Sequence, residues 1–236
     1  MDIILLPGLW LDGSAWEPAL PPLRQALHRP FPLTLPGQGA AVPGQDVIDL
    51  EDQLAAALAP IDSSGERVLV VGHSAASTLA WMVADRRVDD VAAVVMVGGM
   101  PSADGEPYAG FAETQDGVAR FPGWEAFDGP DSDDLDEDAR AWLEARMHPM
   151  PATITGAAVH YTDPRRHEVP VVMLCPEYSP EDAQAWLAQG AMPELEPVRS
   201  LRFVDLETGH WPMASRPELL AQALLGIIGD LEGQAV

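Results

Sequence analysis

The stretch Val68-Leu-Val-Val-Gly-His-Ser-Ala-Ala76 constrains this chain more than any other. Four apolar, mostly β-branched residues read as a strand buried on both faces, as a central parallel strand must be. Small residues follow, and then Leu79-Ala80-Trp81-Met82-Val83, whose spacing suits a packed helix. Strand, tight turn with a serine at its apex, and helix together form the setting of a nucleophile elbow. Such a turn holds the serine in strained backbone, so the residues two before and two after need almost no side chain. Gly72 meets that need in full, and Ala76 exceeds it by one methyl. The same letters also describe an ordinary small-residue turn between strand and helix, so other parts of the chain must decide.

Those parts alternate. Ile3 to Leu6 reads as a buried strand and Phe31 to Leu35 as a second strand, separated by helical spacing at Trp16, Leu20, Leu23 and Leu27 with Ser14 as N-cap. Pro21-Pro22 must kink or split that helix. Asp49 to Leu58 reads as a helix, Val91 to Val97 as another buried strand, Val169 to Cys175 as the next. A helix over Glu181 to Gln189 and a strand over Leu201 to Leu206 follow, and Ser215-Arg-Pro-Glu218 reads as a capping box opening the last helix. Alternating strand and helix argue for right-handed crossovers and a mostly parallel α/β sheet. The alternation breaks at Gly98, and 101–166 shows no convincing buried strand. Within it, Asp104 to Glu144 holds 13 acidic residues against two arginines, with Phe111, Phe121, Trp124, Phe127 and Trp142 scattered among them. A charge run of this kind reads first as a solvated face.

The totals exclude some partners. Among 236 residues the formal net charge is −24, and all 13 basic residues are arginine. Such a surface repels phosphate backbones and anionic membranes, which argues against nucleic-acid binding. Cys175 is the one cysteine, so no internal disulfide forms and a reducing, cytoplasmic setting is expected, with the thiol buried and unreactive. The apolar run at Asp2–Leu6 is far too short for a signal segment or a membrane span.

A serine hydroxyl is a poor nucleophile until a base takes its proton. His210, in Leu206-Glu-Thr-Gly-His-Trp-Pro-Met213, sits after the last strand and before the last helix. In an open parallel sheet, sites gather at the carboxyl ends of the strands, which brings Ser74 and His210 to one edge. His73 is expected to pack beside the elbow, not to reach the Ser74 hydroxyl. No two of the six histidines show metal-ligand spacing, so no metal is indicated. Acyl transfer also needs donors for a developing oxyanion. The Ala75 N–H is one candidate and the Leu9 N–H, after Pro7-Gly8, the other. Trp10 and Trp211 read equally well as lining for a pocket mouth or as core.

Pro7-Gly8-Leu9-Trp10, Gly72-His-Ser-Ala-Ala76 and Gly209-His-Trp-Pro-Met-Ala-Ser-Arg-Pro217 fall in the order and spacing of the α/β-hydrolase superfamily. Within it the chain resembles the small esterases of the plant methylesterase and hydroxynitrile-lyase type and their bacterial relatives. The resemblance implies one α/β-hydrolase domain, with a core at 1–100 and 167–236 and a helical cap at about 101–166. It also implies a serine esterase mechanism through an acyl-enzyme, with no cofactor. Pro7 stands where the family usually has histidine. The family expects an acid near Tyr178 or Ser179; Glu177 is the nearest carboxylate, Asp104 is the alternative from the preceding strand, and Asp182 suits a helix first turn.

The expected activity is therefore cleavage of a small, largely uncharged carboxylic ester, thioester or lactone. Ser74 would be nucleophile, His210 base and Glu177 its partner, with Leu9 and Ala75 amides at the oxyanion. Two other readings stand beside it. One is a hydroxynitrile-lyase-like C–C lyase on the same residues, whose usual cationic side chain the absence of lysine disfavours. The other is a non-catalytic ligand-binding protein on a hydrolase scaffold.

Overall fold

Six parallel strands form one sheet, in the spatial order β2 (Arg29–Pro32), β1 (Asp2–Leu6), β3 (Val68–His73), β4 (Val91–Val97), β8 (Val171–Cys175) and β9 (Leu201–Asp205), with the apolar runs in its centre. The structure, a computed structural model, describes residues 1–39 and 47–234. In chain order, β1 (Asp2–Leu6) leads through a 3-10 turn at Gly13–Ala19 into α1 (Leu20–Gln25) and β2 (Arg29–Pro32). Then come α2 (Leu50–Asp62), β3 (Val68–His73), α3 (Ala76–Arg86) and β4 (Val91–Val97). The sheet resumes, after an insertion, with β8 (Val171–Cys175), α6 (Pro180–Ala188), β9 (Leu201–Asp205), α7 (Pro212–Ser215) and α8 (Pro217–Gln234). The insertion itself holds β5 (Thr114–Gln115), β6 (Val118–Ala119), α4 (Glu137–Glu144), β7 (Met150–Pro151) and α5 (Ala152–Thr155).

Every residue of β1, β3, β4 and β8 is buried, which is why these strands read as unbroken apolar runs rather than alternating ones. Each Val, Ile or Leu so removed from water contributes about 1.5–3 kcal/mol. One sheet face packs on α2 and α3 through residues such as Ile4, Val70, Leu79 and Trp81. The other packs on the Gly13–Ala19 turn, α1 and α8 through Ile3, Leu69, Trp16 and Leu224.

Several local expectations change. The first helix is split, as Pro21-Pro22 required, with the prolines in the first turn of α1; its N-terminal turn is capped by Asp12, whose carboxylate accepts from the Ser14 N–H, and not by Ser14. The capping box expected at Ser215 does not form. Ser215 ends α7, its hydroxyl donates to the Trp211 carbonyl, and Arg216 at φ −141° separates α7 from α8. The insertion is not purely helical either: β5, β6 and β7 form a small antiparallel sheet. Its pairs are only two residues long, too short to show a strand pattern in sequence.

The insertion returns to the sheet through a buried ion-pair network. The side chain of Asp85 on α3, wholly buried, accepts from the Thr162 and Asp163 backbone amides and pairs with Arg166. Arg166 in turn pairs with Glu194 at 2.8 Å and lies over the Tyr161 ring. Charges taken out of water are tolerable when paired and hydrogen-bonded in this way.

Candidate active site

The turn after β3 has the geometry its sequence suggests. Ser74 stands at φ +53°, in left-handed backbone that a serine rarely adopts, and its N–H donates to the Val97 carbonyl at 2.8 Å. A Cβ on Gly72 would lie 2.3 Å from the Ala76 carbonyl oxygen, so only glycine fits there. Ala76, by contrast, is accommodated with its methyl buried in the core. At Gly99 a Cβ would lie 2.3 Å from the Ser74 carbonyl oxygen, so β4's exit loop presses directly on the elbow.

His210 and Glu177 meet at the same edge. The His210 Nδ1–H donates to Glu177 Oε1 at 2.7 Å, with the side chains 12 % and 14 % exposed. This fixes the tautomer and leaves Nε2 as the free nitrogen. A Cβ on Gly98 would stand 3.2 Å from both His210 Nδ1 and Glu177 Oε2, so the pair is stacked on Gly98 while Ser74 is stacked on Gly99. Consecutive residues of one loop thus seat the serine and the His–Glu pair side by side. Among the described residues the Ser74 hydroxyl has no hydrogen-bond partner of its own.

The other carboxylates lie elsewhere. Asp104, the alternative acid, has a side chain 58 % exposed; it faces His160 and accepts from the Tyr161 N–H. Asp182 closes a capping box with Ser179 at the start of α6, and those hydrogen bonds hold its carboxyl below the usual range. Neither touches His210.

The loop bearing His210 is held from two sides: His73 packs beside the elbow, as expected, but its bond to this loop and those of two insertion residues were missed in the sequence. From below, the buried His73 donates Nε2–H to the His210 carbonyl at 2.7 Å. Burial, with the neighbouring His210 adding to it, pushes the His73 imidazole down to about 3, so it is neutral near pH 7. From above, Asp134 accepts from the Gly209 N–H at 2.7 Å and the Asp131 carbonyl accepts from the His210 N–H at 2.8 Å. The Asp131 carboxyl is raised by burial, opposed by His210 and reinforced by Glu177. The charge run of the insertion is mostly solvated, as expected, and Asp134 is itself exposed, yet it and the half-buried Asp131 also bond the histidine loop. Gly8 has a reason as well: a Cβ there would lie 2.4 Å from His73 Nδ1.

Leu9 and Ala75, the oxyanion candidates, are 6 % and 8 % exposed, and neither N–H donates to a protein acceptor among the described residues. They lie at the ends of β1 and β3, which are neighbours in register. Trp10, at φ +70°, donates its indole N–H to the Ala119 carbonyl and packs edge-on against Phe121 and Phe127. It lines a cavity of about 330 Å³ together with Phe111 and Phe127. Trp211 takes the core role: it is 3 % exposed, packs against Trp124, Phe127 and His210, and lines neither cavity at this edge. The second cavity, about 510 Å³, is lined by Ser74, Ala75, Thr78, Gly99, Met100 and Tyr108 among others. No cluster of metal-binding side chains occurs among the described residues, and no described helix is long and apolar enough to cross a membrane.

A serine at a strand–helix elbow and a carboxylate-held histidine, both seated on the Gly98–Gly99 loop at one edge of a parallel sheet, are the arrangement of the α/β-hydrolase class. The chain belongs to the alpha/beta hydrolase family, whose family model matches residues 3–223. Comparison with curated proteins finds no match. Among solved structures, it is similar to an extracellular α/β-hydrolase from a Paenibacillus species, described as sharing structural and functional homology with tobacco salicylic acid binding protein 2, at 14 % identity and TM-score 0.77 over 96 % of this chain and 98 % of that one. A methylesterase from Arabidopsis matches at 15 % identity and TM-score 0.76, over 97 % and 99 %. A pyrethroid hydrolase from Sphingobium faniae matches at 19 % identity and TM-score 0.70, over 96 % of each chain. At such identities the likeness concerns the fold.

Proposed function

We propose that the protein is a serine esterase acting on a carboxylic ester through an acyl-enzyme. The observation that carries the reading is the 2.7 Å His210–Glu177 bond beside a serine held at φ +53°. In this mechanism His210 Nε2 takes the Ser74 proton as Oγ attacks the ester carbonyl. The oxygen, now negative, is met by the Leu9 and Ala75 N–H groups; losing one such donor typically costs about a hundred- to a thousandfold in rate. Glu177 stabilises the imidazolium. The intermediate collapses with cleavage of the bond to the alcohol oxygen, which receives the proton from His210. Water, deprotonated by the same histidine, then releases the acid and restores Ser74. The esterases among the structural neighbours support the reaction type, and the buried Cys175, its thiol pushed up to about 12 by burial, fits a cytoplasmic setting.

The lyase alternative relies on a cation in the pocket; the cavity beside Ser74 is lined by no basic side chain, while Arg120 lines the cavity at Trp10 and Phe127. Cyanide release from a cyanohydrin without ester cleavage would favour the lyase. The deciding experiment is fluorophosphonate labelling followed by peptide mapping, alongside hydrolysis of p-nitrophenyl acetate. Label on Ser74, and loss of both label and hydrolysis in Ser74→Ala, are expected. Hydrolysis that persists in Ser74→Ala would remove the reading.

A further inference from the structure

We infer that Asp12 and His148 are positioning residues for the oxyanion: their side-chain bond ties the loop that carries the Leu9 N–H to the insertion. This rests on the esterase reading above and goes beyond it, since it makes the insertion part of the machinery that receives the negative oxygen.

The loop after β1 is fixed on both sides of Leu9. On the near side Gly8 lies against the His73 ring, at a separation that leaves no room for a side chain. The Gly8 carbonyl accepts from the Leu11 N–H at 3.1 Å, closing a turn around Leu9 and Trp10. Trp10 pays for that turn with left-handed backbone at φ +70°, which a bulky residue keeps only when its surroundings hold it there. On the far side those surroundings belong to the insertion. The His148 N–H donates to the Trp10 carbonyl at 2.7 Å, Leu11 forms an antiparallel bridge with Met147, and the Asp12 N–H donates to the Arg146 carbonyl at 3.2 Å. The Trp10 indole reaches the Ala119 carbonyl, also in the insertion.

One side-chain pair locks this contact. His148 Nε2–H donates to Asp12 Oδ2 at 2.8 Å, while Asp12 Oδ1 accepts from the Ser14 N–H and hydroxyl. Asp12 therefore caps the Gly13–Ala19 turn with one oxygen and grips the insertion with the other. Burial raises its carboxyl, but the bonds from Ser14 and His148 outweigh burial and hold it below the usual range, so it is a charged acceptor near pH 7. The two side chains are only 28 % and 19 % exposed, where a charge-assisted bond is stronger than in open water. Oxyanion donors act through preorganisation, and a misplacement of about 1 Å can cost on the order of a hundredfold in rate.

The test cuts the side-chain bond from either end and leaves the backbone bonds in place. His148→Ala removes the donor and His148→Gln restores one; Asp12→Ser keeps an oxygen for the cap but is too short to reach His148. The readouts are kcat and KM for p-nitrophenyl acetate, melting temperature, and Ki for a phenyl trifluoromethyl ketone, whose hemiketal oxygen occupies the oxyanion position. Active sites are counted by fluorophosphonate taken to completion. His148→Ala and Asp12→Ser should each lower kcat about tenfold with KM within about twofold, and raise Ki in the same proportion. His148→Gln should recover most of the loss, and the double variant should lose no more than either single one. A lower melting temperature with kcat and Ki unchanged, or a rise in KM alone, would overturn the positioning role and leave the esterase reading standing. Native protein that neither hydrolyses the ester nor takes label on Ser74 would overturn both.

Discussion

The imidazole of His73 holds the main-chain carbonyl of His210 at 2.7 Å. The residue beside Ser74 thereby fixes the backbone of the candidate base. Its own ring is wholly enclosed between Gly8, Trp16 and His210, so it acts as a rivet between the two ends of the candidate machinery.

This rivet makes stability depend on acid. The His73 imidazole titrates at about 3 when folded, against 6.5 for the exposed group. Between those values the unfolded chain binds more protons, so the contribution is complete above pH 6.5 and is lost as pH falls from 6.5 towards 3. Unfolding free energy should fall across this window by up to about 1.4 kcal/mol per pH unit from this one group, and the melting temperature with it. A His73→Asn variant should begin less stable at pH 7 and show a visibly flatter slope between pH 6 and 4.

Glu177 should behave differently from the other two acids considered. Glu177→Gln is expected to lower kcat by roughly a thousand- to ten-thousandfold, since the amide cannot stabilise the imidazolium and favours the wrong tautomer. Glu177→Asp should recover part of the loss. Asp104→Asn and Asp182→Asn, both remote from His210, should leave kcat within about threefold. Steady-state kinetics on p-nitrophenyl acetate separates these outcomes, and a large loss in Asp104→Asn would reassign the acid.

Asp134 is expected to matter to turnover from outside the reacting groups. Asp134→Ala frees the Gly209 N–H and releases one of the two restraints that the insertion places on the histidine loop. A base displaced by about 1 Å can cost on the order of a hundredfold in rate. The expected result is a fall in kcat of ten- to a hundredfold with little change in KM, and partial recovery in Asp134→Asn, whose side-chain oxygen still accepts.

The elbow itself can be tested in two directions. Gly72→Ala places a methyl 2.3 Å from the Ala76 carbonyl oxygen, against backbone that cannot yield. It should destabilise by about 3 kcal/mol or more and abolish labelling of Ser74. Ala76→Gly removes a buried methyl and should cost about 1 kcal/mol while preserving labelling. Thermal denaturation and labelling rates decide both.

The sheet was legible because its strands are buried on both faces, so that Val68–Val71, Val91–Val97 and Val169–Cys175 could hardly be anything else. The edge at which Ser74 and His210 meet followed from topology alone. Glu177 came from the resemblance to hydrolases, since no local pattern distinguishes it from Glu181 or Asp182. What stayed hidden depends on long-range approach. Asp134 looks like its acidic neighbours until the Gly209 amide is seen beside it, and nothing in Gly-His-Ser tells that the imidazole reaches the carbonyl of His210. Apolar bulk was equally mute about place: Trp10 lines a cavity and Trp211 does not. The short β5–β7 sheet had too few residues for any periodicity to appear.

The hold of Asp131 and Asp134 on the histidine loop means that the acidic insertion cannot be exchanged as an independent module. A chimera that borrowed this segment from another hydrolase would inherit a new pocket roof and, at the same stroke, lose the brace on its candidate base. Engineering a different specificity here is therefore a matter of resurfacing the segment from within, with those two aspartates left in place.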